Sequence, residues 1–314
     1  MIPSAHLHYS LGLTGYPLGH SLSPGLHAAA LKASGLQGEY RLYPIPSLPD
    51  GLEALQKLIV SMRNSDLDGL NVTIPHKQAV IPFLDDLTPL AQKIGAVNTV
   101  FRRDGRLVGD NTDAPGFRKD LSRNFKEFNI PLTALVLGAG GSARTVVHTL
   151  LGIGWHVIIA ARKTEKGRAI VTGSDFNDEH CEAIGLGSLP EFIQKFEDFK
   201  PKEAGNRTHL LRPALRLIIN TTPIGMHPNI EASPWPENLT FPPGAFVYDL
   251  VYNPIETMLV RSARDAGLEA AGGLGMLIEQ AALSFERWTG INPSRDVMLQ
   301  GVLTTAGVFS KQEL

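Results

Sequence analysis

The chain has 314 residues, room for two domains at roughly 150 residues each, and is long enough to build a core without disulfides or a structural metal. Its 29 Lys and Arg against 31 Asp and Glu give a net charge of −2, which excludes the basic footprint of a nucleic-acid binder. With 43% hydrophobic and 19% charged residues it is not a disordered chain; Cys181 is its only cysteine, so no intramolecular disulfide forms. No apolar run approaches the roughly 20 residues of a membrane helix, and the N-terminus lacks the pattern of a signal peptide. These features predict a soluble, cytoplasmic two-domain protein with no membrane or nucleic-acid partner.

Leu11 to Gly15 reads as a first strand. Ser23-Pro24 then opens a helix, with Ser at the cap and Pro at the first helical position, ending near Gly35. Tyr40 to Pro44 is a strand, Leu52, Leu55, Leu58, Ile59 and Met62 fall at helical spacing, and Leu67 to Val72 is a buried strand running into Thr73-Ile74-Pro75-His76-Lys77. This alternation predicts an α/β domain with a largely parallel sheet. Asn98 to Phe101 and Arg106 to Gly109 flank Asp104-Gly105, a hairpin signal. A helix bearing Phe117, Leu121 and Phe125 follows, and the domain boundary is placed at its start.

The second domain begins with the strand Ala134 to Leu137, a glycine-rich turn, and a helix carrying Val146, Val147, Leu150 and Leu151. Further strands are expected at 155–160, 215–220 and 245–251, with a helix from Pro254 to Gly267. The stretch 172–212 reads as an enlarged surface connection with helical spacing at Phe192, Ile193 and Phe196, since long loop insertions cost little. Leu277 to Trp288 is an amphipathic helix expected to return to the first domain. The domains are therefore expected at 1–113, completed by 274–314, and at 114–273.

Gly138, Gly140 and Ala143 satisfy G-x-G-x-x-G/A between a strand and a helix. Gly138 permits the tight turn, Gly140 lets the backbone approach a pyrophosphate, and Ala143 keeps helix and strand close. Gly141 adds another residue without a side chain, and the helix end holds phosphate oxygens. A purely structural glycine-rich turn is the alternative. The second strand ends Ala160-Ala161 without the acid that reads a ribose 2′-hydroxyl, and Arg162, Lys163, Lys166 and Arg168 follow. Such a cluster suits a 2′-phosphate; otherwise it is a solvated basic helix start that opposes the helix dipole.

Polar clusters occupy His20 to Pro24, Asn71 to Lys77, Ala96 to Thr99 and Gly109 to Asp113. Singly, each has a structural explanation: Ser23 a cap, Asn98 a turn former, Lys77 a surface lysine. Together they provide two hydroxyls to grip a carboxylate, Thr, Asn and Asp groups to bond vicinal hydroxyls, and a lysine and an aspartate to move a proton. Hydride transfer to a ketone needs that proton and benefits from a cation beside the developing oxyanion.

The sequence resembles the shikimate dehydrogenase family. The resemblance rests on eight motifs in order: Gly15-Tyr16-Pro17-Leu18-Gly19-His20-Ser21-Leu22-Ser23-Pro24, Asn71-Val72-Thr73-Ile74-Pro75-His76-Lys77, Gly95-Ala96-Val97-Asn98-Thr99, Gly109-Asp110-Asn111-Thr112-Asp113, Gly138 to Arg144, Asn220-Thr221-Thr222-Pro223-Ile224-Gly225-Met226, Asp249-Leu250-Val251-Tyr252-Asn253-Pro254, and Gly273-Leu274-Gly275-Met276-Leu277-Ile278-Glu279-Gln280. It implies an N-terminal α/β substrate domain completed by C-terminal helices, a Rossmann-type NADP-binding domain, and an active site in the cleft between them. It implies an NADP-dependent enzyme, with no metal, interconverting 3-dehydroshikimate and shikimate in aromatic amino-acid biosynthesis; a monomer or homodimer is expected.

By the same resemblance Lys77 and Asp113 are the catalytic pair, with Lys77 the acid/base. Ser21, Ser23 and Tyr252 face the substrate carboxylate; Thr73, Asn98, Asp113 and Gln280 face ring hydroxyls; Asn71 lines the same pocket. Gly138, Ala139, Gly140, Gly141, Ser142 and Ala143, with Arg162, Lys163, Lys166 and Thr221, fall to the cofactor, and Gly273 and Met276 lie near the nicotinamide. The sequence departs from the family pattern in two places. Ala161-Arg162-Lys163-Thr164 stands where Asn-Arg-Thr is usual, and Gly272 stands where an Asp often precedes the late glycine motif. Quinate or NAD preference, another hydroxylated ring acid, or a catalytically inactive nucleotide-binding homologue are the alternatives.

Overall fold

The computed structural model describes residues 8–130, 132–173, 180–197 and 214–305. In chain order these form β1 (Tyr9–Gly15), α1 (Ser23–Ala33), β2 (Gly38–Pro44), α2 (Leu52–Arg63), β3 (Gly69–Val72), β4 (Asp86–Leu87), α3 (Pro89–Ile94), β5 (Thr99–Arg103), β6 (Arg106–Asp110) and α4 (Asp113–Asn124). There follow β7 (Thr133–Leu137), α5 (Gly141–Leu151), β8 (His156–Ala161), α6 (Thr164–Val171), β9 (Cys181–Gly185), α7 (Leu189–Glu197), β10 (Leu215–Asn220), β11 (Phe246–Asp249), α8 (Met258–Asp265), β12 (Ala270–Gly272), α9 (Leu274–Thr289) and α10 (Arg295–Thr305). The chain divides into two compact units, with the boundaries at Gly116/Phe117 within α4 and at Met276/Leu277 within α9.

The first unit carries a six-stranded sheet in the order β2-β1-β3-β5-β6-β4. It is mixed: β1 is parallel to β2 and β3, and β4 to β6, whereas β5 runs antiparallel to both β3 and β6. The β5–β6 hairpin turns through Asp104 and Gly105, at φ of 52° and 76°. Both central residues are thus left-handed, and the twist of this turn matches that of its strands. Leu55, Leu58, Ile59 and Met62 on one face of α2 meet Leu70, Val72, Val100 and Leu107 from the sheet in a single core. From the C-terminal part, α10 packs along α1.

One expectation fails here. Ser23 is the first residue of α1 rather than its cap; Leu22 holds the cap position, without a side-chain hydrogen bond. The Ser23 N–H instead meets Ser21 Oγ at 3.3 Å, so the upstream hydroxyl satisfies an otherwise orphan donor at the helix start.

The second unit holds an all-parallel sheet in the order β12-β11-β10-β7-β8-β9. The strand order reverses between β7 and β10, the topological switch point at which open α/β sheets bind ligands beyond their strand ends. Both faces are covered. One core joins Val136, Val146, Leu150 and Trp155 to Phe117 and Leu121, and the other joins Leu135, Ile158 and Val247 to Leu259.

The expected surface connection over 172–212 is corrected in its described part. Cys181–Gly185 forms β9, parallel to β8, and Leu189, Phe192 and Ile193 of α7 are buried in the second core. An amphipathic helix and a pairing strand remove apolar area from water, which a solvated loop cannot do. Of that stretch, 174–179 and 198–212 lie outside the described residues, and the polar run from Lys200 to His209 lies among them. The expected helix from Pro254 also starts later, at Met258, because the Thr257 hydroxyl accepts from Val260 N–H and caps it there. No helix among the described residues is long and apolar enough to cross a membrane.

Candidate active site

Lys77 lies in the segment that follows β3. Its carbonyl accepts from Val97 N–H at 2.7 Å, which ties its backbone to the stretch before β5. Asp113 is the first residue of α4, where the helix dipole favours a carboxylate. The two meet directly: Lys77 Nζ donates to Asp113 Oδ2 at 2.7 Å, with side chains 13% and 8% exposed. This is not a surface lysine. Charge and counter-charge are withdrawn from water as a pair, so each fixes the other's position.

The second carboxylate oxygen, Asp113 Oδ1, accepts from Asn98 Nδ2 at 2.9 Å. The same amide nitrogen faces Gln280 Oε1 at 3.1 Å and Thr112 Oγ1 at 2.9 Å. Three acceptors thus compete for two hydrogens, and a ligand hydroxyl that donates to the spare acceptor completes the set. Asn98 Oδ1 accepts from Thr112 N–H at 2.7 Å, which fixes the orientation of the amide. Lys77, Asp113, Asn98 and Gln280, far apart in sequence, are therefore brought together in one cluster of the first unit.

Behind this cluster is a web of hydroxyls that sequence reasoning missed. Ser284 Oγ contacts Thr99 Oγ1 at 2.7 Å and Thr112 Oγ1 at 3.1 Å, and donates to Gln280 O at 3.0 Å. Its only sequence signal is its place one helical turn after Gln280. Asn71 directs its amide nitrogen at Ser284 Oγ and Asn98 O, and its Oδ1 accepts from Tyr40 OH at 2.8 Å. It is buried, and its amide hydrogens go to protein acceptors.

Ser21 is half-buried and Ser23 buried at the start of α1. Thr73 is half-buried just past β3, its N–H on Thr14 O at 2.9 Å. In the sheet, β1 pairs with β3, so these three residues follow neighbouring strand ends.

In the second unit every cofactor candidate follows a carboxyl strand end or starts a helix. Gly138 follows β7 at φ +113°, and a Cβ there would lie 2.7 Å from Thr221 Oγ1. The turn thus needs glycine both for its backbone and for the approach of the next loop. Thr221, beyond β10, donates through Oγ1 to Leu137 O at 2.7 Å, so the two loops at the switch point are stitched together. A Cβ on Gly140 would meet no protein atom within 4 Å, which leaves the space a pyrophosphate needs at the start of α5. Ala139 and Ser142 are half-buried around the turn, Gly141 begins α5, and Ala143 is fully buried against the sheet.

Arg162, Lys163 and Lys166 are exposed past β8, and Lys163 caps α6 without a side-chain hydrogen bond. Tyr252 is half-buried beyond β11. Gly273 N–H donates to Val251 O at 3.1 Å, and Met276 is buried in the first core of this unit. Among the described residues no group of three His, Cys, Asp or Glu side chains could hold a metal ion.

Residues 13–100 match the family described as shikimate dehydrogenase substrate binding domain, and 273–303 match the shikimate 5′-dehydrogenase C-terminal domain. The chain is 37% identical over 291 residues to the shikimate dehydrogenase (NADP(+)) of Carboxydothermus hydrogenoformans, which covers 93% of this chain and 95% of that one. A shikimate dehydrogenase solved in complex with NADP+ superimposes with a TM-score of 0.79 at 33% identity, covering 95% of this chain and 96% of the other. The shikimate 5-dehydrogenase of Thermus thermophilus, solved with NADP(H) and shikimate, does so at 0.74 and 36% identity, covering 94% and 99%. Sequence likeness over almost the full length, a shared fold and the clustering of the motif residues lead to one conclusion: the chain belongs to the shikimate dehydrogenase family.

Proposed function

We propose that this protein is an NADP-dependent shikimate dehydrogenase, interconverting shikimate and 3-dehydroshikimate. The observation that carries the reading is the largely buried Lys77–Asp113 ion pair joined to Asn98 and Gln280. The residues present fit the cofactor. Gly138 and Gly140 leave a cradle for a pyrophosphate at the start of α5, no acid ends β8, and Arg162, Lys163 and Lys166 supply exposed charge for a 2′-phosphate. When bound, NADP takes up or gives the hydride.

The protein's own groups handle the rest. Asn98, Asp113 and Gln280 orient the ring hydroxyls, with Thr73 beside them, and Ser21 and Ser23 take the carboxylate. Asn71 acts one layer back by holding the carbonyl of Asn98. Lys77 Nζ accepts the hydroxyl proton as the alcohol is oxidised and returns it in reduction. Its charged form stabilises the oxyanion that hydride addition creates. Asp113 keeps Nζ in place and offsets its charge.

The test is absorbance at the reduced-nicotinamide band with shikimate or quinate, each with NADP or NAD. Reduction fastest with shikimate and NADP is expected. A preference for quinate or NAD, or no reduction in any mixture, would overturn the reading.

A further inference from the structure

Asp249 ends β11 with no exposed surface and, among the described residues, no cationic partner. Burial pushes its carboxyl up to about 6, against the pull of its hydrogen bonds to Thr257, Val251 and Asn220. A lone buried carboxylate is costly, and it persists only where its acceptors are fully used.

They are used on three separate segments. Oδ1 accepts from Asn220 Nδ2 at 2.8 Å and from Val251 N–H at 3.0 Å, and Oδ2 accepts from the Thr257 hydroxyl at 2.7 Å. Asn220, so held, accepts at Oδ1 from Thr222 N–H at 2.9 Å and Thr222 Oγ1 at 2.7 Å, and its amide reaches Ile224 O at 3.2 Å. That fixes the turn whose Thr221 touches Leu137 beside Gly138. Val251 in turn accepts from Gly273 N–H at 3.1 Å and precedes Tyr252. One carboxylate therefore joins the Thr221 turn, the Tyr252 segment, the Gly273 turn and the start of α8.

We propose that Asp249 is a positioning residue for cofactor binding, holding the Thr221 turn and the Val251–Gly273 segments in register at the carboxyl end of the second sheet. It touches no cofactor itself. The proposal rests on the reading that NADP binds at this end, and the experiment separates the two. NADP affinity is measured by calorimetry, and steady-state constants by absorbance, for the wild type, Asp249→Asn, Thr257→Val and Thr257→Ser. Asp249→Asn keeps the shape but replaces one acceptor oxygen with a donor, so Asn220 Nδ2, Val251 N–H and the Thr257 hydroxyl can no longer all donate to it. Thr257→Val removes the hydroxyl on Oδ2 at the start of α8, and Thr257→Ser restores it.

The expected result is that Asp249→Asn and Thr257→Val each weaken NADP binding about tenfold or more. The KM for NADP should rise with it, and by more than the KM for shikimate, and Thr257→Ser should bind as the wild type does. If Asp249→Asn does not fold, Thr257→Val decides. Unchanged NADP affinity in a folded Thr257→Val protein, or equal weakening in Thr257→Ser, overturns the proposal. A wild type that binds no NADP overturns the underlying reading instead.

Discussion

The imidazole of His27 stacks flat on the ring of Tyr40, with centroids 4.3 Å apart and planes 4° from parallel. Tyr40 OH donates to Asn71 Oδ1, and Asn71 in turn contacts the carbonyl of Asn98. A stack of the buried His27 on the half-buried Tyr40 thus backs the polar cluster that surrounds Asp113. Neither ring nitrogen of His27 makes a well-formed hydrogen bond, and burial lowers its pKa from 6.5 to about 3, against an opposing pull from the nearby Asn71 side chain.

This lowering has a definite sign. In the unfolded chain His27 gains a proton as the pH falls through 6.5, whereas the folded chain keeps it neutral to about 3. Between those values the unfolded state binds more protons, so stability is lost as the pH falls, by up to about 5 kcal/mol at the acid end. Denaturant midpoints at pH 7.5 and 4.5 should therefore drop less in His27→Phe than in the wild type, the difference being roughly 2–3 kcal/mol. Trp288, whose ring lies 5.3 Å from His27, is a local fluorescent reporter. Equal acid losses in both proteins would show that His27 carries no such penalty.

Arg162 is exposed past β8, and the proposed function gives it the 2′-phosphate of the cofactor. Arg162→Ala is expected to raise the KM for NADP about tenfold or more while barely moving that for NAD, because only the former presents a 2′-phosphate. Steady-state kinetics with both cofactors check this. Equal effects on the two would mean that Arg162 does not read the phosphate, leaving Lys163 and Lys166 as its readers.

Local chemistry accounts for what the sequence revealed. Gly138 at positive φ and Asp104-Gly105 in the hairpin are positions where backbone conformation selects the residue type, so they are legible from composition alone. Lys77, Asp113, Asn98 and Gln280 were legible through the motifs that contain them. Ser284 was not, and neither was its link to Thr99 and Thr112: these buried hydroxyls acquire meaning only when the fold brings them within 3.1 Å of one another. β9 escaped for another reason. Cys-Glu-Ala-Ile-Gly has little apolar alternation, and pairing with β8 supplies what propensity lacks. Ser23 misled because Ser-Pro signals a helix start equally well with the serine at the cap or one residue inside.

The most direct test of the account is the turnover of Lys77→Ala with shikimate and NADP, measured beside the wild type with both substrates varied. A group that moves the proton in the transition state should, when removed, lower kcat by roughly 10^2–10^4-fold while the KM for shikimate changes little. A variant with nearly normal turnover would contradict the assignment of Lys77 as the acid/base.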